Sequence, residues 1–176
     1  MSNRTIKENE IYVGKICRFT HNEVEFDDGS TGYRDVLHLN GAVAVLAFDD
    51  EDNVFFVDQF RHAVNERLLE LPAGMLEKGE DPKDAALREL EEETGYKAHH
   101  IEFLTSFYSS PGVVNERIYL FMADQLEKTA QHLDRDEFLQ VRKIPSAEVK
   151  QMILNNELTD GKTIVAYTLA MLKKTR

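Results

Sequence analysis

The chain has 176 residues, a formal net charge of −11, 42% hydrophobic residues and a single cysteine. That length suits one domain with a substantial core and a small appendage, and the acidic excess argues against unaided binding to DNA, RNA or an anionic membrane. Cys17 alone excludes an intrachain disulfide and points to a reducing, cytoplasmic setting; no apolar run approaches membrane-spanning length, and the polar N-terminus has no signal-peptide core.

Taken in chain order, residues 11–20, 22–27 and 31–38 read as strands, with Asp27-Asp28-Gly29-Ser30 a turn between the last two. Residues 41–48 and 54–60 are apolar strands around an acidic turn, and a short strand near 68–71 leads into a glycine-broken loop. A helix follows, with Asp81 as N-cap, Pro82 at its first position and Gly95 as a left-handed stop. Strands near 101–108 and 116–123, a polar loop over 124–136 and a strand near 138–143 come next. Ser146 caps a helix to about 155, and residues 163–173 form a last amphipathic helix. Strands interleaved with a few helices predict a mixed α/β sandwich.

The chemistry concentrates in residues 74–96. Glu89 and Glu93 are i, i+4 neighbours and Glu89 and Glu92 are i, i+3, so all three converge on one side of the helix. Like charges at these spacings repel, and Glu91, Glu92 and Glu93 crowd a helix C-terminus that the macrodipole already makes negative. A helix built only for stability would carry lysine or arginine there. A bound divalent cation with oxygen ligands accounts for the pattern, which points to magnesium and phosphate chemistry. Arg88, at i, i+4 to Glu92, can hold that carboxylate by charge-assisted hydrogen bonds.

The pattern is longer than its acids. Gly74, five residues, Glu80, seven residues, Arg88-Glu89-Leu90, one residue, Glu92-Glu93, one residue, Gly95-Tyr96 resembles the Nudix box of the Nudix hydrolases, with every fixed position filled. A solvated acidic helix face explains the charge run but not Gly74, Glu80, Arg88 and Gly95 at their spacings. Pro111, sixteen residues after Gly95, resembles the marker of the ADP-ribose pyrophosphatase branch of that family. Further similarities are Gln59-Phe60-Arg61, Glu70-Leu71-Pro72-Ala73-Gly74, Asn115-Glu116-Arg117, Asp136-Glu137-Phe138 and Asp160-Gly161-Lys162-Thr163, in family order along the chain.

The resemblance implies the Nudix fold, a mixed sheet between helical layers over residues 40–176, with residues 1–39 a small antiparallel β domain that swaps across a homodimer. It implies metal binding by Glu89, Glu92, Glu93 and the carbonyl of Ala73, with Mg2+ as the ion and Mn2+ as the alternative, and an orienting role for Glu80. It implies that an acidic residue late in the chain, best aligned with Glu137, activates the attacking water; His62 is the competitor, and a solvated acidic loop is the bland reading of the same residues. For substrate it implies a diphosphate or ribose contact for Arg61, ribose contacts for Glu116 and Arg117, and adenine stacking by Arg34 from the partner chain. With no tryptophan, Phe19, Tyr33 or Tyr108 would stack on a base, and each is equally well read as core. The expected reaction is magnesium-dependent hydrolysis of ADP-ribose to AMP and ribose 5-phosphate. The rivals are the same chemistry on a nucleotide sugar or dinucleoside polyphosphate, and a non-catalytic sensor of ADP-ribose. A sensor has no need of the full carboxylate set.

Overall fold

The computed structural model describes residues 2–133, 135 and 137–174. The chain divides into two compact units, one made of Met1–Gly41 with Phe107–Ile118 and the other of Ala42–Ser106 with Tyr119–Arg176.

In the first unit, β3 (Arg18–Phe26) is central and pairs antiparallel with β1 (Asn3–Lys7), β2 (Glu10–Val13) and β4 (Thr31–His38). The two strands expected over 11–20 and 22–27 are instead β2, a turn closed by the Gly14 N–H on the Cys17 carbonyl at 2.8 Å, and the unbroken β3. Thr20, Asn22 and Val24 alternate along β3 on its buried face. The sequence pattern does not reveal β1, because every one of its residues is exposed and only its backbone pairing on β3 defines it. Residues 107–118, which the sequence reading assigns to the larger domain, group here because Leu37 bonds Val113 and Asn115 through its backbone, at 2.8 and 3.3 Å.

The second unit carries β5 (Ala42–Ala47), β6 (Asn53–Arg61), β7 (Glu66–Glu70), β8 (Ala73–Met75), α1 (Pro82–Thr94), β9 (Tyr96–Tyr108), β10 (Arg117–Lys128), β11 (Leu139–Pro145), α2 (Ser146–Leu154) and α3 (Gly161–Lys174), the last residues of β9 and the first of β10 counting with the first unit. They form sheets ordered β8-β5-β10-β9 and β11-β6-β7. Val43, Val45 and Ala47 of β5 face α1 and pack with Phe55, Ala85, Ala86 and Leu90. The alternate residues Ala44 and Leu46 are as fully buried on the other face of β5, and α3 packs against that strand. The result is a mixed α/β fold with a sheet between helices, as the sequence predicts. Apolar side chains buried to this degree contribute roughly 1.5–3 kcal/mol each, so this layer dominates the unit's stability.

Two strands run longer than their composition suggests. β9 begins at Tyr96, directly after the helix, and β10 continues through the polar residues up to Lys128. Ala123 and Leu126 keep the inward side apolar, while His100–Asp124 at 2.9 Å and His99–Glu127 at 2.7 Å tie the two strands together on the exposed side.

Candidate active site

The site grows from the local chemistry of α1. The Asp81 carboxylate accepts from the Lys83 N–H at 2.8 Å, Pro82 fills the first turn without wasting a donor, and Gly95 closes the helix at φ +70° with its N–H on the Glu91 carbonyl. These caps fix the rotation of the helix. Ala86 and Leu90 then face the core, and the neighbouring row of Glu89 and Glu93 is carried inward with them. Glu93 is 1% exposed, and its carboxylate accepts the Ala73 N–H from β8 at 2.9 Å. Glu89 lies directly over Gly74: a Cβ at that position would stand 2.0 Å from the Glu89 carboxyl carbon. Any side chain at 74 would displace Glu89, so this glycine is a steric requirement of the site.

Arg88 organises the carboxylates. Its Nε and Nη2 donate to Glu80 at 2.9 and 3.1 Å, and its Nη1 donates to Glu89 at 2.7 Å and to Glu92 at 3.0 Å. Glu80 in turn accepts the Glu77 N–H at 2.9 Å, which fastens the loop to the helix. Arg88 and burial do not balance out. Desolvation, with the charges of Glu92 and Glu137 adding to it, raises the Glu89 carboxyl above its ordinary value against the pull of Arg88. Desolvation first, then Glu89 and Glu137, push Glu93 up to about 8, although the Ala73 N–H and Arg61 oppose the rise.

The C-terminus of α1 is sealed by the chain that follows β10. The His132 N–H reaches the Glu92 carbonyl at 2.9 Å and the Gln131 amide reaches the Glu93 carbonyl at 2.5 Å. The same segment leads to Glu137, half-buried and close enough for its charge to act on both Glu89 and Glu93. Asp134 and Asp136 lie outside the described residues. Glu91 is partly exposed, and His62 is exposed in the turn between β6 and β7.

Arg61, at the end of β6, donates through Nε and Nη2 to the two oxygens of Glu70 at 2.6 and 3.0 Å. Glu70 is buried and also accepts from Lys162, whose ammonium donates to Asp160 at 3.0 Å. Burial alone would raise the Glu70 carboxyl, yet Arg61 and Lys162 hold it below the ordinary value. Glu93 and Asp160 both act on the charge of Arg61. Glu70, Asp160 and Lys162 lie within sequence motifs but have no role legible there, because Glu70 and Lys162 stand 92 positions apart and nothing in the one-dimensional pattern pairs them.

Arg34, Pro111, Glu116 and Arg117 belong to the first unit, whereas the carboxylates belong to the second. Arg34 lies over the Phe26 ring at 5.1 Å and donates to the Tyr33 carbonyl at 2.8 Å. Pro111 is exposed in a turn that Val113 and Val114 close on the Ser110 carbonyl. The Glu116 carbonyl accepts the Ser109 N–H at 3.2 Å, and Arg117 lies over the Tyr108 ring at 5.9 Å. Tyr33 is exposed and stacks on His21 at 4.7 Å; Tyr108 is exposed and Phe19 partly buried.

Among the described residues no three His, Cys, Asp or Glu side chains are preassembled around a common point, because Arg88 draws Glu89 and Glu92 toward itself. The donors nonetheless fit a hard divalent cation. They are all oxygen, and burial strips Glu89 and Glu93 of water, which raises both carboxyls and leaves them short of the positive charge a cation would supply.

The chain resembles known proteins in sequence and in fold. A model of the NUDIX domain matches residues 38–166. The chain is 40% identical over 173 residues to a methanol dehydrogenase activator of Bacillus methanolicus, covering 97% of this chain and 94% of that protein. It is 38% identical over 176 residues to an ADP-ribose pyrophosphatase of Bacillus subtilis (strain 168), covering 99% and 95%. The crystal structure of an ADP compounds hydrolase superposes with a TM-score of 0.87 at 19% identity, over 97% of this chain and 93% of that one.

Proposed function

This chain belongs to the Nudix family, and we propose that it hydrolyses the diphosphate of ADP-ribose to AMP and ribose 5-phosphate, with magnesium as its ion and manganese as the alternative. The observation that carries the proposal is the buried, under-compensated pair Glu89 and Glu93, with Glu137 close enough to act on both. Its substrate is supported by the ADP-ribose pyrophosphatase that resembles the chain over nearly its whole length.

Glu89, Glu92, Glu93 and the Ala73 carbonyl would hold the cation, which when bound supplies positive charge to the diphosphate oxygens. Arg88 gathers Glu89 and Glu92 on one nitrogen and holds them in place, and Glu80 anchors Arg88 to the loop. Arg61 takes up the diphosphate with the N–H groups that Glu70 leaves to it. Glu137 accepts the proton of the water that attacks in line with the leaving phosphate. Glu116 and Arg117 contact the terminal ribose near the turn that bears Pro111, and Arg34 reaches the adenine of the partner's site. That last role requires a homodimer in which residues 1–39 exchange as a β domain against residues 40–176. The exposed Ile11, Tyr12, Val13, Ile16 and Tyr33 of the first unit support such an interface. No helix among the described residues is long and apolar enough to cross a membrane. A cytoplasmic enzyme acting on a small soluble nucleotide derivative is the setting we propose.

One experiment tests the reaction: a screen of ADP-ribose, nucleotide sugars and dinucleoside polyphosphates with magnesium, in isotopically labelled water. ADP-ribose as best substrate, yielding AMP and ribose 5-phosphate with the label in a product phosphate, supports the reading. A better substrate of another class replaces ADP-ribose, and binding without turnover makes the chain a sensor. The relative named as a methanol dehydrogenase activator motivates a second reading, in which hydrolysis serves to regulate another enzyme. In that case a Glu93→Gln variant loses activation together with hydrolysis.

A further inference from the structure

We propose that Lys162 is a positioning residue for Arg61: acting through the buried carboxylate of Glu70, it sets the direction and the net charge that Arg61 presents to the substrate diphosphate. The inference rests on the reading of Arg61 as a diphosphate contact.

The geometry is a relay. Glu70, 3% exposed in its side chain, sits between two cations and bonds both. Toward the site it takes the Nε and Nη2 edge of Arg61, whose side chain is 38% exposed. A guanidinium held by one edge in this way turns its remaining N–H groups in a fixed direction. The Glu70 Oε2 that accepts Nη2 of Arg61 also accepts the ammonium of Lys162, which is 13% exposed. Lys162 cannot drift, because the first turn of α3 is fastened to the strand end that carries Glu70. The Asp160 carboxylate accepts the Thr163 N–H at 3.1 Å and the Thr163 hydroxyl at 2.5 Å, and that hydroxyl accepts the Leu71 N–H at 3.0 Å.

Charge gives the relay its purpose. Arg61, Lys162, Glu70 and Asp160 form a neutral tetrad, and Asp160 shares its charge with the donors of Thr163. Without the Lys162 ammonium, Glu70 and Asp160 outweigh Arg61 and the tetrad becomes net negative. An anionic diphosphate would then meet a guanidinium already cancelled by its own partners.

The test compares steady-state kinetics on ADP-ribose for Lys162→Gln, Lys162→Met, Lys162→Arg, Glu70→Gln and the Glu70→Gln, Lys162→Gln double variant, with Arg61→Ala as reference. Lys162→Gln retains a donor for Glu70, so the fold is kept while the charge goes. We expect its KM to rise about tenfold with a smaller change in kcat, and Lys162→Arg to restore most of the loss. In the Glu70→Gln background the same substitution should raise KM much less, since the carboxylate that links Lys162 to Arg61 is gone and Arg61 with Asp160 alone is neutral, not net negative. An unchanged KM in both Lys162→Gln and Lys162→Met overturns the proposal. So does an equal KM increase in both backgrounds, which would mean that Lys162 meets substrate directly. A wild-type KM in Arg61→Ala would instead overturn the reading of Arg61, and the two failures are thereby told apart.

Discussion

Glu93 offers the sharpest perturbation, because the structure assigns it a cost in the absence of a cation. Its carboxyl is raised from 4.5 to about 8, chiefly by desolvation and then by Glu89 and Glu137. A carboxyl raised on folding binds its proton more tightly in the native state than in the unfolded one. Its stability contribution is therefore complete below about pH 4.5 and is lost progressively as pH rises through 8. Each tenfold change in acidity is worth about 1.4 kcal/mol, so the full penalty above pH 8 is on the order of 5 kcal/mol, shared with the coupled Glu89. That is a large fraction of a typical domain's stability.

Glu93→Gln removes the charge and keeps an oxygen to accept the Ala73 N–H. Chemical denaturation in the presence of a chelator, repeated from pH 5 to pH 9, should show wild-type stability falling with pH and a much flatter profile for the variant, so that the variant is the more stable protein at alkaline pH by a few kcal/mol. Hydrolysis of ADP-ribose with magnesium should meanwhile fall by several orders of magnitude, because a cation ligand and its charge at the diphosphate are lost together. A wild-type stability that is flat over this range, or that falls just as steeply in the variant, would refute the assignment of a desolvated, uncompensated charge at position 93.

Magnesium should raise the melting temperature of the wild type by binding only the native carboxylate cluster, and should leave a Glu89→Gln, Glu93→Gln variant unmoved; an equal shift in both would put the cation elsewhere. Glu137→Gln should lower kcat far more than it raises KM and should keep the magnesium-dependent melting shift; normal turnover there with an inactive, folded His62→Ala would make His62 the base. Gly74→Ala should lose most activity while melting close to the wild type, because its methyl occupies the place of the Glu89 carboxylate; wild-type rates would show that Glu89 can move without consequence. Deletion of residues 1–39 should give a monomer with weakened ADP-ribose binding, measured by sedimentation and KM; a well-behaved, fully active monomer would contradict the swapped dimer.

The site was legible wherever its chemistry is local in sequence. Asp81, Pro82 and Gly95 fix both ends of α1, and the spacing of Glu89 and Glu93 follows from helical geometry alone. The reason for Gly74 was not legible: it lies in the close approach of a side chain fifteen positions later, which only the packing of β8 on α1 creates. The expected loop over 124–136 hid the end of β10, because its outward positions are polar and find their partners across the strand in His99 and His100. β1 escaped for the converse reason, since no residue of it is buried and its one large apolar side chain, Ile6, is exposed and makes no alternating pattern. The Glu70 network depends on a partner in α3, and a carboxylate and a lysine so far apart read individually as ordinary surface residues.

An acidic protein that handles an anionic substrate must concentrate its few effective cations. The chain carries −11, and among the box residues Arg88 is engaged by Glu80, Glu89 and Glu92, so its charge is spent on holding carboxylates in place. Arg61 is differently placed. Its partner Glu70 is itself paired with Lys162, so the guanidinium is oriented without being neutralised by a lone carboxylate. Glu89 and Glu92 place two carboxylates on the one Nη1 of Arg88, and a bound cation would offset the negative charge that the guanidinium, shared also with Glu80, does not. Metal and substrate should therefore bind with positive coupling, each lowering the repulsion the other meets. Substrate affinity without magnesium should be weak, and Glu93→Gln should lose the enhancement by magnesium while its metal-free affinity holds or improves. Calorimetric titration of a slowly hydrolysed ADP-ribose analogue with and without the ion measures that coupling directly. Equal affinities in the two conditions would show that Arg61 and its network attract the diphosphate unaided.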